Sequence, residues 1–167
     1  MHPRGATENP REYREDPIMK KSFILPLALT SAALFAMPGA ALADDYYSEQ
    51  KVVYHVNHND EQRQMGAMRN IQNHINAVGA DRMSIKVVMH GPGLSLLRHA
   101  NDNQDLAAFI DQLKMQDVAF QICNNTVVNQ NIDLANDLYD AAEGDIIPSG
   151  VAHLSHLQHQ GYTYVRP

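Results

Sequence analysis

The chain has a single cysteine, Cys123, among 167 residues, so it cannot form an intramolecular disulfide. Cys123 ends the apolar run Val118-Ala119-Phe120-Gln121-Ile122 and precedes the polar segment Asn124-Asn125-Thr126. A helix that starts there would place amides with partial positive charge beside the sulfur and favour a thiolate. A free cysteine at a strand end can also be a small buried hydrophobe. On this feature alone both interpretations stay open.

The chain also lacks an uninterrupted apolar run of the ~20 residues that a membrane span needs. The apolar stretch that begins at Ser22 is broken by Pro26 and Pro38. It follows the basic start Met19-Lys20-Lys21 and ends at Ala41-Leu42-Ala43, a small-residue cleavage sequence. This order of basic, apolar and small residues is typical of a secretory signal peptide.

The organisation that follows has three parts. Residues 1–18 are predicted to be an upstream extension from a wrongly assigned start, because they precede a normal signal start at Met19. Residues 19–43 are the predicted signal peptide, and residues 44–167 are the predicted mature chain. Its length suits one α/β domain. We therefore expect a periplasmic protein with no membrane element after signal cleavage.

Positive charge is scarce in the predicted mature chain. It has 8 Lys and Arg against 15 Asp and Glu, a formal charge of −7 with neutral histidines. So few cations cannot build the basic patch that nucleic acids or anionic membrane surfaces require. The composition therefore argues against nucleic-acid binding.

Strand-like and helix-like segments alternate along this part of the chain. β-branched and aromatic runs predict strands at 51–56, 84–89, 118–122, 145–147 and 162–166. Apolar spacings of three and four predict helices at 61–78, around 106–113, at 132–142 and after 149. Asp60 and Ser149 are the predicted N-caps of two of them, and the last helix is expected to bury Val151, Leu154 and Leu157. Helices between strands imply crossover connections, so we predict a mainly parallel sheet with helices on both faces.

In such sheets, sites lie beyond the carboxyl ends of the strands. The predicted strand ends therefore bring together a thiol, two imidazoles, amides and a hydroxyl. These candidate site residues are Asn57, His58, His90, Gly91, Cys123, Asn124, Asn125, Thr126 and Ser149. We expect His58, His90, Cys123 and Ser149 to border one cavity.

Two other interpretations of these residues remain. His58, His90 and Cys123 could hold zinc or copper, since imidazole and thiolate suit both metals, although their spacing matches no compact metal motif. His90 could instead be a strand-end residue hydrogen-bonded to the backbone. His55 lies inside the first predicted strand and is expected to be a buried neutral imidazole. No cofactor is predicted.

Five segments in order resemble the DsrE/DsrF-like family of sulfur-relay proteins. They are Val52-Val53-Tyr54-His55-Val56, Val87-Val88-Met89-His90-Gly91-Pro92-Gly93, Phe120-Gln121-Ile122-Cys123-Asn124-Asn125-Thr126, Ile146-Ile147-Pro148-Ser149-Gly150-Val151 and Gln160-Gly161-Tyr162-Thr163-Tyr164-Val165-Arg166-Pro167. The resemblance implies an α/β fold, a three-layer α/β/α sandwich with a parallel five-stranded sheet. It also implies a homo-oligomer, a trimer or hexamer. In the relay members a cysteine after the third strand carries sulfur as a persulfide, and Cys123 falls at that position.

Three functional hypotheses follow. In the first, Cys123 takes sulfane sulfur from a donor protein or molecule and passes it to an acceptor thiol, with Asn124, Asn125 and the turn amides stabilising the sulfur anion and His90 balancing charge or moving a proton. The chain departs from the characterised relay proteins, which are cytoplasmic and work with partner subunits, because its N-terminal segment predicts export. The second hypothesis is a non-catalytic module that binds a metal ion or small anion. The third is a structural oligomer with an inert thiol.

The predicted cleavage site can be tested directly. N-terminal sequencing of the exported protein is expected to begin at Asp44, because Ala41-Leu42-Ala43 is the small-residue motif that signal peptidases recognise. A mature chain that still contains residues 19–43 would show that the segment is not a cleaved signal.

Overall fold

A computed structural model describes residues 46–167 of the chain. The predicted upstream extension and signal peptide, residues 1–18 and 19–43, lie outside the described residues. Within the described part, the strands are β1 (Gln50–Val56), β2 (Met83–Met89), β3 (Ala119–Cys123), β4 (Ile146–Ile147) and β5 (Thr163–Val165). The α-helices are α1 (Glu61–Val78), α2 (Ser95–Asp102), α3 (Gln104–Lys114), α4 (Asn124–Asn129), α5 (Leu134–Asp137) and α6 (Gly150–His159).

The first crossover shows why these segments fold as they do. The Asp60 carboxylate accepts a hydrogen bond from the amide of Arg63 at 3.0 Å and caps α1, as predicted. Gly79 ends the helix with φ of 102°, a conformation that a side chain disfavours, and its amide bonds the carbonyl of Ile75 at 2.8 Å. The predicted apolar stripe is buried at Met68, Ile71, Ile75 and Val78.

All five strands of the sheet are parallel, in the order β4-β3-β2-β1-β5. The predicted parallel sheet is therefore confirmed. Met89 pairs with Val56 on one side and with Ile122 on the other. The residues that come next, Asn57, His90 and Cys123, consequently emerge side by side at the same carboxyl edge.

The two faces of the sheet carry different amounts of apolar packing. On one face, α1, α2 and α3 pack against the sheet and form the larger core. On the other, α6 covers a small cluster made of Val53, Val88, Ile147, Leu154 and Leu157. This gives the α/β/α layering that was expected, with one thick and one thin helical layer. Within residues 46–167, no helix has the length and apolarity needed to cross a membrane.

The predicted helix at 132–142 is wrong. Its only helical part is the single turn of α5, where the Asp133 side chain accepts hydrogen bonds from the amides of Ala135 and Asn136. The Asp137 side chain bonds the amide of Asp133 in turn. These short polar side chains bond the local backbone and favour turns over a continuing helix. Leu138 then takes an extended conformation and enters the larger core.

The inward orientation predicted for Val151 is also wrong, since 66 % of its surface is exposed. The side of α6 against the sheet carries Gly150, Leu154 and Leu157. At 3.6 residues per turn, Val151 points about 100° away from Gly150. The position of α6 is therefore set by a glycine that approaches the sheet, rather than by the valine after it.

Two glycine substitutions are expected to change stability in opposite directions. A β-carbon on Gly93 would overlap the backbone carbonyl of Val56, which the sheet holds in place. Gly93→Ala should therefore lower the free energy of unfolding by about 3 kcal/mol or prevent folding. A β-carbon on Gly66, inside α1, meets nothing within 4 Å, so Gly66→Ala should raise it by up to ~1 kcal/mol. Urea unfolding followed by circular dichroism measures both, and equal effects would contradict the packing argument.

Candidate functional site

Cys123 is the last residue of β3 and directly precedes α4. Phe120 and Ile122 lie in the larger core, and alternation along the strand turns Cys123 toward the face covered by α6. Only 4 % of its surface is exposed. The thiol therefore lies between two helix N-termini, those of α4 and α6, at the carboxyl edge of the sheet.

Four hydrogen-bond donors surround the sulfur. Burial by itself would raise the pKa of Cys123, but hydrogen bonds from the Gly150 amide, the Thr126 hydroxyl and the amides of Thr126 and Asn125 act in the opposite direction. Their combined effect holds the pKa of Cys123 below its ordinary value. Donors aimed at a sulfur stabilise the thiolate, and the partial positive charge of the helix N-termini adds to them.

The position of Thr126 explains how its hydroxyl is oriented. The amide of Gly91 donates a hydrogen bond to Thr126 Oγ1 at 2.8 Å. Because the hydroxyl oxygen accepts from Gly91, its proton is free to point at the sulfur. Thr126 is buried, so this orientation is sheltered from water. The loop after β2 thus positions a donor for the thiol at the end of β3.

Gly150 is the site residue that sequence reasoning missed. A β-carbon there would lie 2.8 Å from His90 Cβ and about 3.1 Å from its ring, so the close approach of α6 to the sheet requires glycine. The available signal is that Gly150 lies just after the predicted fourth strand. The sequence analysis instead chooses Ser149 as the site residue at that strand end. Ser149 is the N-cap residue of α6, as predicted, although its side chain makes no capping hydrogen bond.

The predicted site residues at the strand ends have the following surroundings. Cys123 and His90 do lie at neighbouring strand ends, both in contact with Gly150. Ser149 instead lines a cavity of about 190 Å³ with Pro148 and residues of α6. The side chains of Asn124 and Asn125 are exposed, and Asn125 contributes to the thiol through its backbone amide.

His90 is hydrogen-bonded to a second histidine. His90 Nε2 lies 2.7 Å from His55 Nε2, and His55 Nδ1 lies 2.7 Å from the hydroxyl of Tyr164 on β5. Burial, followed by the nearby positive charges of His90, Arg166 and His58, lowers the pKa of His55 to about 4. His55 is therefore neutral at pH 7, as expected from its strand position. Burial also lowers the pKa of His90.

The end of β1 has polar atoms without partners. Asn57 Oδ1 and both ring nitrogens of His58 are buried and have no hydrogen-bond partner among the described residues. The pKa of His58 is lowered, first by burial and then by the charge of Arg63, against the opposing effect of Asp60. Its backbone carbonyl accepts a 2.7 Å hydrogen bond from the buried side chain of Gln64.

The alternative metal site is not formed. Within residues 46–167, no three His, Cys, Asp or Glu side chains are grouped so that they could hold a metal ion. His90 directs Nε2 at His55, and the Cys123 sulfur is directed at backbone amides. The predicted ligands His58, His90 and Cys123 are therefore committed to other contacts or separated.

Replacing the Thr126 hydroxyl is expected to weaken the thiolate. Thr126→Val removes one donor, so the pKa of Cys123 should rise and the labelling curve should move to higher pH. At pH 7 the rate of labelling by a small alkylating reagent should fall roughly tenfold, because a hydrogen bond to a charged group contributes ~1.5 kcal/mol. Thr126→Ser keeps the hydroxyl and serves as the matched control. Equal curves for the two variants would show that the hydroxyl does not affect the sulfur.

Comparison with known proteins agrees with this architecture. The family model described as DsrE/DsrF-like matches residues 50–167. A solved structure of MTH1491, a protein of unknown function from Methanobacterium thermoautotrophicum, is 31 % identical, with a TM-score of 0.60. The match covers 71 % of this chain and 99 % of that one. No curated protein matches the chain. The extent of the family match, together with the parallel sheet and its strand-end cysteine, shows that the chain belongs to the DsrE/DsrF-like family.

Proposed function

We propose that the protein binds sulfane sulfur as a persulfide on Cys123 and transfers it to an acceptor thiol. Membership of the DsrE/DsrF-like family suggests a role of the sulfur-relay type. The observation that carries the proposal is the set of donors from Gly150, Thr126 and Asn125 around the sulfur. A thiolate is the nucleophile in sulfur exchange, and these donors increase its population at neutral pH.

The transfer conserves atoms and electrons. The Cys123 thiolate attacks the terminal sulfur of a donor R–S–SH and forms a new sulfur–sulfur bond. The bond between the two donor sulfurs breaks, and its electron pair leaves with R–S⁻, which takes up a proton to become R–SH. The product is Cys123–S–SH. In the second half the same exchange passes the outer sulfur to an acceptor thiol, and neither half needs an external oxidant or reductant.

The burial of Cys123 determines which donors can reach it. Because only 4 % of the residue is exposed, we expect donors with a slim reactive group to reach the sulfur, such as the terminal sulfur of a low-molecular-weight persulfide or polysulfide. We infer that a bulky donor protein must displace residues that cover Cys123 before it can deliver sulfur.

The single cysteine is compatible with sulfur transfer in the predicted compartment. A protein with one cysteine cannot lose it to an intramolecular disulfide, even in the oxidising periplasm to which the predicted signal peptide would send it. Sulfur carried on such a thiol remains available to an external acceptor. Assembly into a trimer or hexamer stays a prediction that rests on the family resemblance.

A second candidate function is favoured by the unpaired polar atoms at the end of β1. Buried polar atoms usually have hydrogen-bond partners, and Asn57 Oδ1 and the two ring nitrogens of His58 have none among the described residues. A small polar molecule that both accepts and donates hydrogen bonds would satisfy them. This binding function does not need Cys123, which separates it from the sulfur-carrier function.

Intact-mass measurement distinguishes the two functions. Protein purified without reductant and incubated with inorganic polysulfide is expected to gain one sulfur atom on Cys123, which cyanide then removes as thiocyanate. Cys123→Ser is the blank, and Thr126→Val should gain sulfur more slowly than Thr126→Ser. A wild-type mass that stays unchanged would reject the sulfur-carrier function. A non-covalent adduct in native mass spectra of both wild type and Cys123→Ser would support the binding function instead.

A further inference from the structure

We propose that His90, His55 and Tyr164 form a proton relay that carries the proton of Cys123 to the protein surface during sulfur transfer. This inference rests on the proposed function, since the thiolate that attacks the sulfur donor forms when Cys123 loses this proton. His90 is the proposed proton acceptor. His55 and Tyr164 are positioning residues that act through it.

The three side chains form one continuous hydrogen-bonded chain across the sheet. His90 follows β2, His55 lies in β1 and Tyr164 lies in β5, so the chain crosses three neighbouring strands. Both hydrogen bonds measure 2.7 Å, and the two imidazole rings lie end to end, with centroids 4.7 Å apart and an interplanar angle of 25°. His55 is 7 % exposed, whereas Tyr164 is 40 % exposed. One end of the chain therefore meets solvent and the middle is sheltered from it.

The other end of the chain lies beside the thiol. Met89 pairs with Ile122, so the next residues, His90 and Cys123, lie side by side at the ends of adjacent strands. Gly150 contacts both, because its amide bonds the sulfur and the His90 ring fills the space where a β-carbon would be. Nε2 of His90 is hydrogen-bonded to His55. Nδ1 has no hydrogen-bond partner among the described side chains and is available to a proton from the thiol.

A neutral His55 allows two arrangements of protons along this row of hydrogen bonds. A neutral imidazole has one N–H and one lone pair, and both nitrogens of His55 are engaged. When Nδ1–H donates to Tyr164, Nε2 must accept from His90 Nε2–H, which leaves His90 Nδ1 with a lone pair. When Tyr164 donates to Nδ1, every N–H in the chain points the other way. The two arrangements differ by the transfer of one proton along the chain.

The proton transfer proceeds in four shifts. His90 Nδ1 takes the proton of Cys123, and the proton on His90 Nε2 moves to His55 Nε2. The proton on His55 Nδ1 moves to the oxygen of Tyr164, and the original hydroxyl proton of Tyr164 leaves to solvent. No charge remains on either imidazole, and solvent later protonates the leaving R–S⁻. The positive charge of Arg166 near His55 disfavours a resting cation there and so favours passing the proton on.

The experiment compares two tyrosines on the same strand region. Tyr164→Phe breaks the relay at its outer end and keeps the ring. Tyr162→Phe is the matched control, because Tyr162 bonds Ser84 Oγ at 2.8 Å outside the relay. Single-turnover sulfur transfer from polysulfide to Cys123 is expected to slow roughly tenfold in Tyr164→Phe and to stay unchanged in Tyr162→Phe. A role in packing alone would not change the solvent isotope effect, whereas loss of the relay should reduce the number of protons it reports.

Nitrogen-15 spectra of the imidazoles test the relay without sulfur chemistry. In the wild type we expect protonated Nδ1 on His55 and protonated Nε2 on His90. Tyr164→Phe removes the acceptor for His55 Nδ1–H, so both histidines should exchange tautomers, and Tyr162→Phe should leave them as they are. His55→Asn, with His74→Asn as its control on the other face, provides a second break in the chain.

The possible outcomes separate the two proposals. If the wild type takes up no sulfur, the sulfur-carrier function is rejected. The imidazole spectra then still test whether His90, His55 and Tyr164 are linked by hydrogen bonds as proposed. Sulfur transfer with equal rates and isotope effects in Tyr164→Phe and Tyr162→Phe would overturn the relay and leave the carrier function intact. Unchanged tautomers in Tyr164→Phe would also overturn it.

Discussion

The hydrogen bonds that converge on Cys123 depend on how closely the connecting segments approach the carboxyl edge of the sheet. Backbone amides can reach the sulfur only if α4 starts at once after β3 and if the first turn of α6 lies against His90. Glycine at 150 permits the second approach, and glycine at 93 lets the loop after β2 rest on the carbonyl of Val56. The same closeness aligns Gly91 with Thr126. Small residues at the sheet edge thus determine the electrostatics of the thiol.

One face of the sheet carries most of the apolar core, and the other carries the thiol and the hydrogen-bonded histidines. Three helices bury the apolar side chains of one face and form the larger core, which holds the strand ends in register. The thin layer on the other face leaves room for polar side chains in the sheet. His55, His90 and Tyr164 occupy that room and satisfy one another by hydrogen bonds, since isolated buried imidazoles would be costly. The thiol and the histidine chain therefore share the less apolar face.

Much of this architecture was predictable because it follows from local pattern. The β-branched strands, the Asp60 cap and the Gly79 stop each depend on residues close in sequence, and all are present. The carboxyl-edge rule then placed His90 next to Cys123. Pattern failed where polar side chains bond their own backbone, as at Asp133, and where a glycine rather than an apolar residue faces the sheet, as at Gly150.

The sequence by itself determined a parallel α/β sheet with one thiol at its carboxyl edge, because strand and helix periodicities and the single cysteine can be identified without knowing any distant contact. Only the tertiary structure decided what surrounds that thiol. The partners of Cys123 come from residues 125, 126 and 150, and those of His55 from 90 and 164. Contacts between residues as far apart as His55 and Tyr164 have no local signature, because they arise from strand register and from the close approach that glycine allows.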